Sequence, residues 1–229
     1  AAEWLGNLNA TDAVPQIKKA LEKEKREDTK GTMMQALEKL GVPMEQFVNR
    51  RRLAEEADKG LKKGIPAKLQ WFPLDRLPVV HWEKTRAKVK PEIVQWFLIQ
   101  AWKMKKAAPG PLLRLYCSYF RPDERKAMGT FVLRQWIAED TKPKYTNAEA
   151  RDLADKDLQQ TLKYVKQYPQ YYQEWDEKQY YNSQLQQFRT ACLGSAISSK
   201  GILAVAAACA GADVVPLVNR YLKDWYGKR

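Results

Sequence analysis

The chain has 229 residues, of which 45% are hydrophobic, and this is enough apolar material for a buried core. The composition therefore predicts a folded chain. Forty Lys and Arg residues against 27 Asp and Glu residues give a formal charge of +13, which favours acidic partners such as nucleic acid or an anionic surface.

Apolar residues recur at helical spacing in three short segments within residues 1–41. Their stripes consist of Trp4, Leu5 and Leu8, of Val14, Ile17, Ala20 and Leu21, and of Met33, Met34, Leu37 and Leu40. Gly41 is expected to end the third helix. A fourth helix is predicted from Met44 to Gly64. Short amphipathic helices that cannot bury their apolar faces alone are typical of an α-solenoid.

Prolines interrupt the next segment and rule out a single helix there. They are Pro66, Pro73, Pro78 and Pro91. We therefore predict one long irregular connection near residues 64–91, followed by a largely buried helix that starts at Pro91. Thr146 and Glu149 form a capping-box pattern before a long helix. Every recognisable element is helical, so the fold class is predicted to be all-α.

Four parts of the sequence resemble known helical repeats. The segment AAEWLGNLNATDAVPQIKKALEKEKREDTKGTMMQALEKLG resembles a short HEAT-like repeat of the bacterial kind. After Leu53, the pieces KGLKKGIPAKLQWFPLDRLPVVHW, GSAISSKGILAVAA and VVPLVNRYLKDWYGKR resemble the HEAT-like region of large bacterial proteins related to the molybdate-metabolism regulator MolR, which often carry a WGR module. The resemblance implies an α-solenoid segment of a longer cytosolic bacterial protein, with no catalytic residues to transfer.

The two ends of the chain fit a segment of a longer protein. The sequence starts in a helix without an initiating methionine and ends on WYGKR without a polar capping repeat. We expect one continuous right-handed solenoid of about ten helices. Residues 1–64 are expected to form HEAT-like repeats and residues 65–229 a more irregular continuation.

Positive charge is concentrated in residues 51–106, which carry 14 basic and 6 acidic side chains. The candidate polyanion-binding residues are Arg50, Arg51, Arg52, Lys59, Lys62, Lys63, Lys84, Arg86, Lys88 and Lys90. Contacts from them to phosphate groups would give salt-dependent affinity without reading a base sequence. The alternative is a solvated helix face on which Glu55, Glu56 and Asp58 pair with some of these cations.

A second candidate surface is aromatic. Its residues, the tyrosine cluster, are Tyr164, Tyr168, Tyr171, Tyr172, Trp175, Tyr180 and Tyr181. Tyrosine is a favoured anchor at protein interfaces, so a protein partner is one interpretation. Packing between helices is the other. Pro169 is expected to interrupt the helix between Tyr168 and Tyr171.

Two pairs of residues suggest catalysis only weakly. His81, the single histidine, lies two residues before Glu83, but no second histidine completes a metal site or a proton relay, so a structural or exposed role is expected. Val79, Val80 and Trp82 are expected to anchor this segment. Trp136 and Asp140 share a helical face as they would in a HEAT-like DNA glycosylase, a hypothesis that requires both to be exposed in a basic cleft.

The remaining patterns exclude the usual catalytic motifs. The sequence has no phosphate-cradling glycine loop and no nucleophile elbow, and its three cysteines have no metal-ligand spacing. The apolar run at residues 201–212 is too short for a membrane helix.

We predict no catalytic residue, metal or cofactor. The predicted function is a noncatalytic cytoplasmic interaction scaffold for a protein partner or for other domains of the same longer chain. Binding of nucleic acid or another polyanion is the first alternative and a DNA glycosylase is the second.

Overall fold

The computed structural model describes residues 1–192 and 195–225, except for the side chains of Ser195 and Trp225. Within these ranges the protein is all-helical, with 72% of residues in helices and no β-strand. None of the described helices is long and apolar enough to cross a membrane. Gly194 and residues 226–229, which carry part of the MolR-related resemblance, lie outside the described residues.

The chain divides into two compact units. Unit 1 comprises Ala1–Ile137 and Ala196–Val218, and unit 2 comprises Ala138–Ser195 and Asn219–Arg229. Unit 1 contains α1 (Ala2–Asn7), α2 (Val14–Lys23), α3 (Glu27–Lys39), α4 (Arg50–Leu61), α5 (Pro91–Met104), α6 (Pro111–Ser118) and α10 (Leu203–Cys209). Unit 2 contains α8 (Asn147–Gln167) and α9 (Glu177–Thr190). Two helices, α7 (Pro122–Asp140) and α11 (Val215–Trp225), start in unit 1 and end in unit 2. The predicted division at residue 64 stays a prediction.

The first three helices pack around the apolar residues that the sequence pattern indicates. Ile17, Leu21 and Leu37 are buried there together with Ala36. Of the predicted stripe of α1, Leu5 packs against this core, but the prediction is wrong for Trp4, which is 65% exposed, and for Leu8, which is 57% exposed. The buried residue of α1 is Gly6, where an added Cβ would lie only 3.0 Å from the Ala36 Cα. The close approach of α1 to α3 therefore depends on a glycine and not on large side chains.

The start of α4 also differs from the prediction. Residues Met44–Phe47 form a 3₁₀ turn, and α4 begins only at Arg50. The Asn49 side chain accepts a hydrogen bond of 2.9 Å from the Arg52 backbone N–H and so caps the helix. This cap explains why the helix starts six residues later than its apolar pattern suggests. The glycine expected to end α3, Gly41, has a φ of 77°, as a left-handed helix end requires.

The long connection between α4 and α5 is irregular, as predicted, but part of it is ordered as a hairpin. His81 and Lys88 form an antiparallel bridge, and the Val89 N–H donates to the Val80 carbonyl at 2.9 Å. We call residues 80–90 the basic hairpin. Val80 and Trp82 are buried and anchor it. The same role expected for Val79 is wrong, because Val79 is 52% exposed.

The later helices follow their sequence signals closely. Helix α5 begins at Pro91 and buries Phe97, Leu98 and Ile99 among other residues. The predicted capping box is present at α8, where Thr146 and Glu149 exchange side-chain and backbone hydrogen bonds. In unit 2, α8 packs along α9. These signals are local, which is why the sequence alone indicates them.

Candidate binding sites

The basic residues of α4 fall into two groups. Arg51 and Arg52 pair with Glu55 and Glu56 one turn later, at 3.2 and 2.8 Å. For these two arginines the alternative interpretation applies, in which acidic residues of a solvated helix face pair with the cations. Such exposed pairs contribute little to the stability of the fold. Lys59, Lys62 and Lys63 are exposed and have no ion pair within the described part of the chain.

The basic hairpin presents four further cations to solvent. They are Lys84, Arg86, Lys88 and Lys90, all exposed and without an ion pair among the described residues. The turn is closed by a 2.8 Å hydrogen bond from the Arg86 N–H to the Trp82 carbonyl, and Arg86 has a φ of 56°. Glu83 is the acidic residue within this turn, and it is exposed. The hairpin therefore carries an excess of positive charge on a backbone fixed at its base.

Arg50 connects the hairpin to α4. Its guanidinium carbon lies 4.3 Å from the centroid of the Trp82 ring and 5.5 Å from that of Tyr119. Such stacking is favourable, and Trp82 is only 7% exposed. The start of α4 and the base of the hairpin are thus in direct contact. Arg50 is held by the protein itself, unlike the cations of the hairpin.

His81 belongs to the support of the hairpin. Its backbone N–H donates to Glu124 Oε2 at 2.7 Å, and its Nδ1 lies 3.0 Å from Glu124 Oε1. Arg121 also reaches Glu124, at 3.2 Å. Burial raises the pKa of Glu124, but the hydrogen bonds from His81 and the charge of Arg121 outweigh it, and the pKa is lowered overall. The acidic partner of His81 is therefore Glu124 and not the nearby Glu83.

The tyrosine cluster lies in unit 2, around the end of α8 and the start of α9. Tyr164, Tyr168 and Tyr171 are 49%, 42% and 79% exposed. The other four residues of the cluster, Tyr172, Trp175, Tyr180 and Tyr181, are half-buried. Helix α8 ends at Gln167, so Pro169 does interrupt the aromatic stripe. The cluster thus has an exposed part and a packed part.

Tyr180 illustrates the packed part. Its hydroxyl donates to Asp157 Oδ2 at 2.6 Å and accepts from the Thr161 hydroxyl at 2.9 Å. The hydrogen bond to Asp157 raises the pKa of Tyr180. The Trp175 ring lies 5.7 Å from the Tyr180 ring. Tyr180 therefore helps to hold α9 against α8, while the exposed tyrosines are the more accessible candidates for partner contacts.

The two residues that the glycosylase hypothesis needs are not exposed. Trp136 is 8% exposed, and its indole N–H donates to the Ala196 carbonyl at 3.0 Å. Asp140 is fully buried, and its Oδ2 accepts from the Tyr221 hydroxyl at 2.6 Å. Neither side chain is positioned to hold a damaged base. The glycosylase hypothesis requires both side chains to be exposed, and their burial contradicts it.

The structure also contains a cavity that no sequence pattern indicates. It has a volume of about 740 Å³ and lies in unit 1, with walls from α2, α3, α4, α5, α6 and α10. Large apolar residues line it, among them Phe47, Leu53, Trp96 and Met104. The Gln100 side chain lies in its wall, and neither amide atom has a hydrogen-bond partner among the described residues. Residues from several separated segments form this cavity, so no single stretch of sequence reveals it.

Comparisons with protein-family models, with curated proteins and with solved structures find no match to this chain. Within the described ranges, no group of three or more His, Cys, Asp and Glu residues is arranged to hold a metal ion.

Two of the three cysteines, Cys117 and Cys209, are buried. A hydrogen bond with Cys209 and burial raise the pKa of Cys117 well above its ordinary value. That thiol is therefore kept protonated, which disfavours nucleophilic chemistry.

Proposed function

We propose that this chain is a noncatalytic helical interaction scaffold and that the basic hairpin, with the adjoining part of α4, binds a polyanion such as the backbone of a nucleic acid. One observation carries the proposal. Four cations of the hairpin are exposed without an acidic partner among the described residues, on a turn whose base is fixed by Arg50 and Trp82. Because the base is packed in advance, binding would order only the flexible side chains.

The chemistry of these side chains suits phosphate groups. Lys84, Lys88 and Lys90 are ammonium point charges, and Arg86 offers a planar guanidinium that binds two phosphate oxygens at once. The aromatic residue of the hairpin, Trp82, is buried under Arg50 and is not exposed for stacking on bases. Binding is therefore expected to depend on charge and salt and to be indifferent to base sequence.

Fluorescence polarisation with labelled duplex DNA tests the proposal. Binding is expected at about 50 mM salt and should weaken steeply as salt rises. In the hairpin variant, Lys84, Arg86, Lys88 and Lys90 are all replaced by Ala. If each of the four contacts one phosphate, the slope of log K against log salt should become shallower by about 3 to 4.

A matched variant controls for total charge. It replaces Lys163, Lys166, Lys178 and Arg189 of unit 2 by Ala, four exposed basic residues, and so loses the same charge. This variant should keep the wild-type affinity to within about threefold, because it leaves all four cations of the hairpin in place to contact phosphate groups. The proposal fails if duplex and single-stranded DNA do not bind at low salt, or if both variants weaken binding equally.

Protein binding by unit 2 is the second candidate function. The observation in its favour is the exposure of Tyr171, 79%, next to the exposed rings of Tyr164 and Tyr168. Crosslinking first identifies a partner, which is then purified. The triple variant with Ser at these three positions should bind this partner at least about tenfold more weakly than the wild type does. The hairpin variant should leave that affinity unchanged. An equal loss in both variants would contradict a partner surface at the tyrosines.

We also propose that the helices form a HEAT-like solenoid and that the chain is a segment of a larger bacterial protein of the MolR-related kind. The short, tightly connected helices α1, α2 and α3, with their shared apolar core, support this arrangement. Small-angle X-ray scattering tests it. A compact globule of this length should have a radius of gyration of roughly 17 Å, and a solenoid should clearly exceed that value. A compact value would argue against the solenoid.

A further inference from the structure

We propose that the cavity of unit 1 binds an uncharged, largely aromatic small molecule that presents an amide-like edge to Gln100. None of the residues of the basic hairpin lines this cavity. It depends on three properties of the cavity: its size, its apolar walls and its single unsatisfied amide.

The size of the cavity suits a small organic molecule. Its volume of about 740 Å³ falls within the range of about 300 to 1,000 Å³ that is typical of ligand sites. Six helices contribute to its walls, so its shape is set by helix packing and not by one loop. A site of this kind is formed before the ligand arrives, which reduces the entropy lost on binding.

The apolar residues of the wall are incompletely buried. Phe47, Trp96, Met104 and Leu112 are only half-buried although each lines the cavity. The Trp96 ring packs directly against Gly60 of α4, and this contact fixes its position. Apolar surface that stays exposed in a concave site is stabilised when a ligand covers it. Aromatic rings in the wall favour a flat aromatic ligand.

The polar group that would orient the ligand is the Gln100 amide. Its nitrogen and oxygen are both closed to solvent, and neither has a hydrogen-bond partner among the described residues. A buried amide without partners is unfavourable, and most such groups in proteins are satisfied. Gln100 lines the cavity, and a change of its side-chain rotamer on binding would bring the amide to the ligand. An amide offers one donor and one acceptor side by side, and its complement is another amide-like edge, as in a carboxamide, a lactam or a nucleobase.

The charged residues around the cavity argue for a neutral ligand. Lys30 pairs with Glu27 at 3.3 Å, and Arg52 pairs with Glu56 at 2.8 Å. In all, the lining contains four basic and three acidic residues, so the two signs nearly balance. The site therefore offers no uncompensated cluster of charge for an anion or a cation.

Three matched compounds test the proposal by ligand-observed NMR titration of the whole chain. The first is 2-naphthamide, the second is 2-methylnaphthalene, which lacks the amide, and the third is 2-naphthoate, which is charged. We expect 2-naphthamide to bind at least about tenfold more tightly than either of the other two compounds, because it alone forms the hydrogen bonds with the Gln100 amide. Gln100→Leu should remove this tenfold preference while the bare ring compound still binds.

Two further variants complete the test. Leu112→Trp fills the cavity from α6 and should abolish binding of all three compounds. Gln70→Leu removes an exposed glutamine outside the cavity and should change nothing. If Gln100→Leu does not fold, Leu112→Trp still decides whether binding occurs in the cavity. The proposal is overturned if no compound binds at about 1 mM, if 2-naphthoate binds most tightly, or if the amide preference survives in Gln100→Leu.

Discussion

Gly129 of α7 offers a quantitative check on the packing of unit 1. An added Cβ at this position would overlap the backbone nitrogen of Ala210 and would lie 2.7 Å from the Ala210 Cα. Ordinary carbon contacts are about 3.5 to 4.0 Å, so the backbone after α10 would have to move by about 1 Å. Overpacking of this kind costs about 1 to 3 kcal/mol, whereas alanine gains about 1 kcal/mol of helix propensity over glycine. Because the clash is with backbone, the cost lies at the upper end of that range, and after the gain in helix propensity we expect Gly129→Ala to lower the free energy of unfolding by about 2 kcal/mol.

Gly31 of α3 provides the matched control for this substitution. Its added Cβ would lie 2.5 Å from the Met104 Cε, which is the flexible end of a side chain and can move aside. Gly31→Ala should therefore be neutral or stabilise the protein by up to about 1 kcal/mol. Urea unfolding followed by circular dichroism and by tryptophan fluorescence measures both changes. The packing argument is refuted if Gly129→Ala is as stable as the wild type or if the two variants lose the same free energy.

Three further predictions address the support of the two candidate surfaces. Trp82→Ala should destabilise the protein by about 3 kcal/mol, because it removes a buried indole and the ring under Arg50; urea unfolding checks this, and a loss below about 1 kcal/mol would contradict it. Glu124→Gln should cost about 1 kcal/mol at pH 7. The folded-state pKa of Glu124 is lowered, so this contribution is present above its unfolded pKa and is lost as pH falls through the folded pKa. The unfolding curves of the variant and the wild type should therefore differ at pH 7 and coincide in acid. Thr146→Ala removes the capping box of α8 and should cost about 1 kcal/mol, whereas Thr146→Ser should cost much less.

The helices of this fold are the part that sequence reasoning captures best. The periodicity of Ile17, Leu21 and Leu37, the proline at the start of α5 and the capping box of α8 are all local signals. The errors have a common cause. The exposure of Trp4 and the late start of α4 depend on the contact of Gly6 with Ala36 and on the cap made by Asn49, which periodicity does not describe.

The candidate sites depend on contacts between residues far apart in the sequence. Glu124 is 43 residues from His81, and no pattern near His81 indicates it. The stacking of Arg50 on Trp82 likewise joins a helix to a hairpin, and the sequence shows the charge of both without showing that they meet. The clustered charge predicted a basic surface, but only the structure separates the paired Arg51 and Arg52 from the unpaired cations of the hairpin.

Asn49 and Arg52 explain why the hairpin is the right place to test polyanion binding. The Asn49 backbone N–H donates to the Tyr116 hydroxyl at 2.9 Å, and Asn49, Arg52 and Tyr116 all line the cavity. Substitutions at the start of α4 would therefore disturb the helix cap and the cavity together with the charge. Lys84 and Lys88 lie outside the cavity and have no ion pair among the described residues. A loss of DNA binding in the hairpin variant with unchanged naphthamide affinity would thus assign the two ligands to two independent sites.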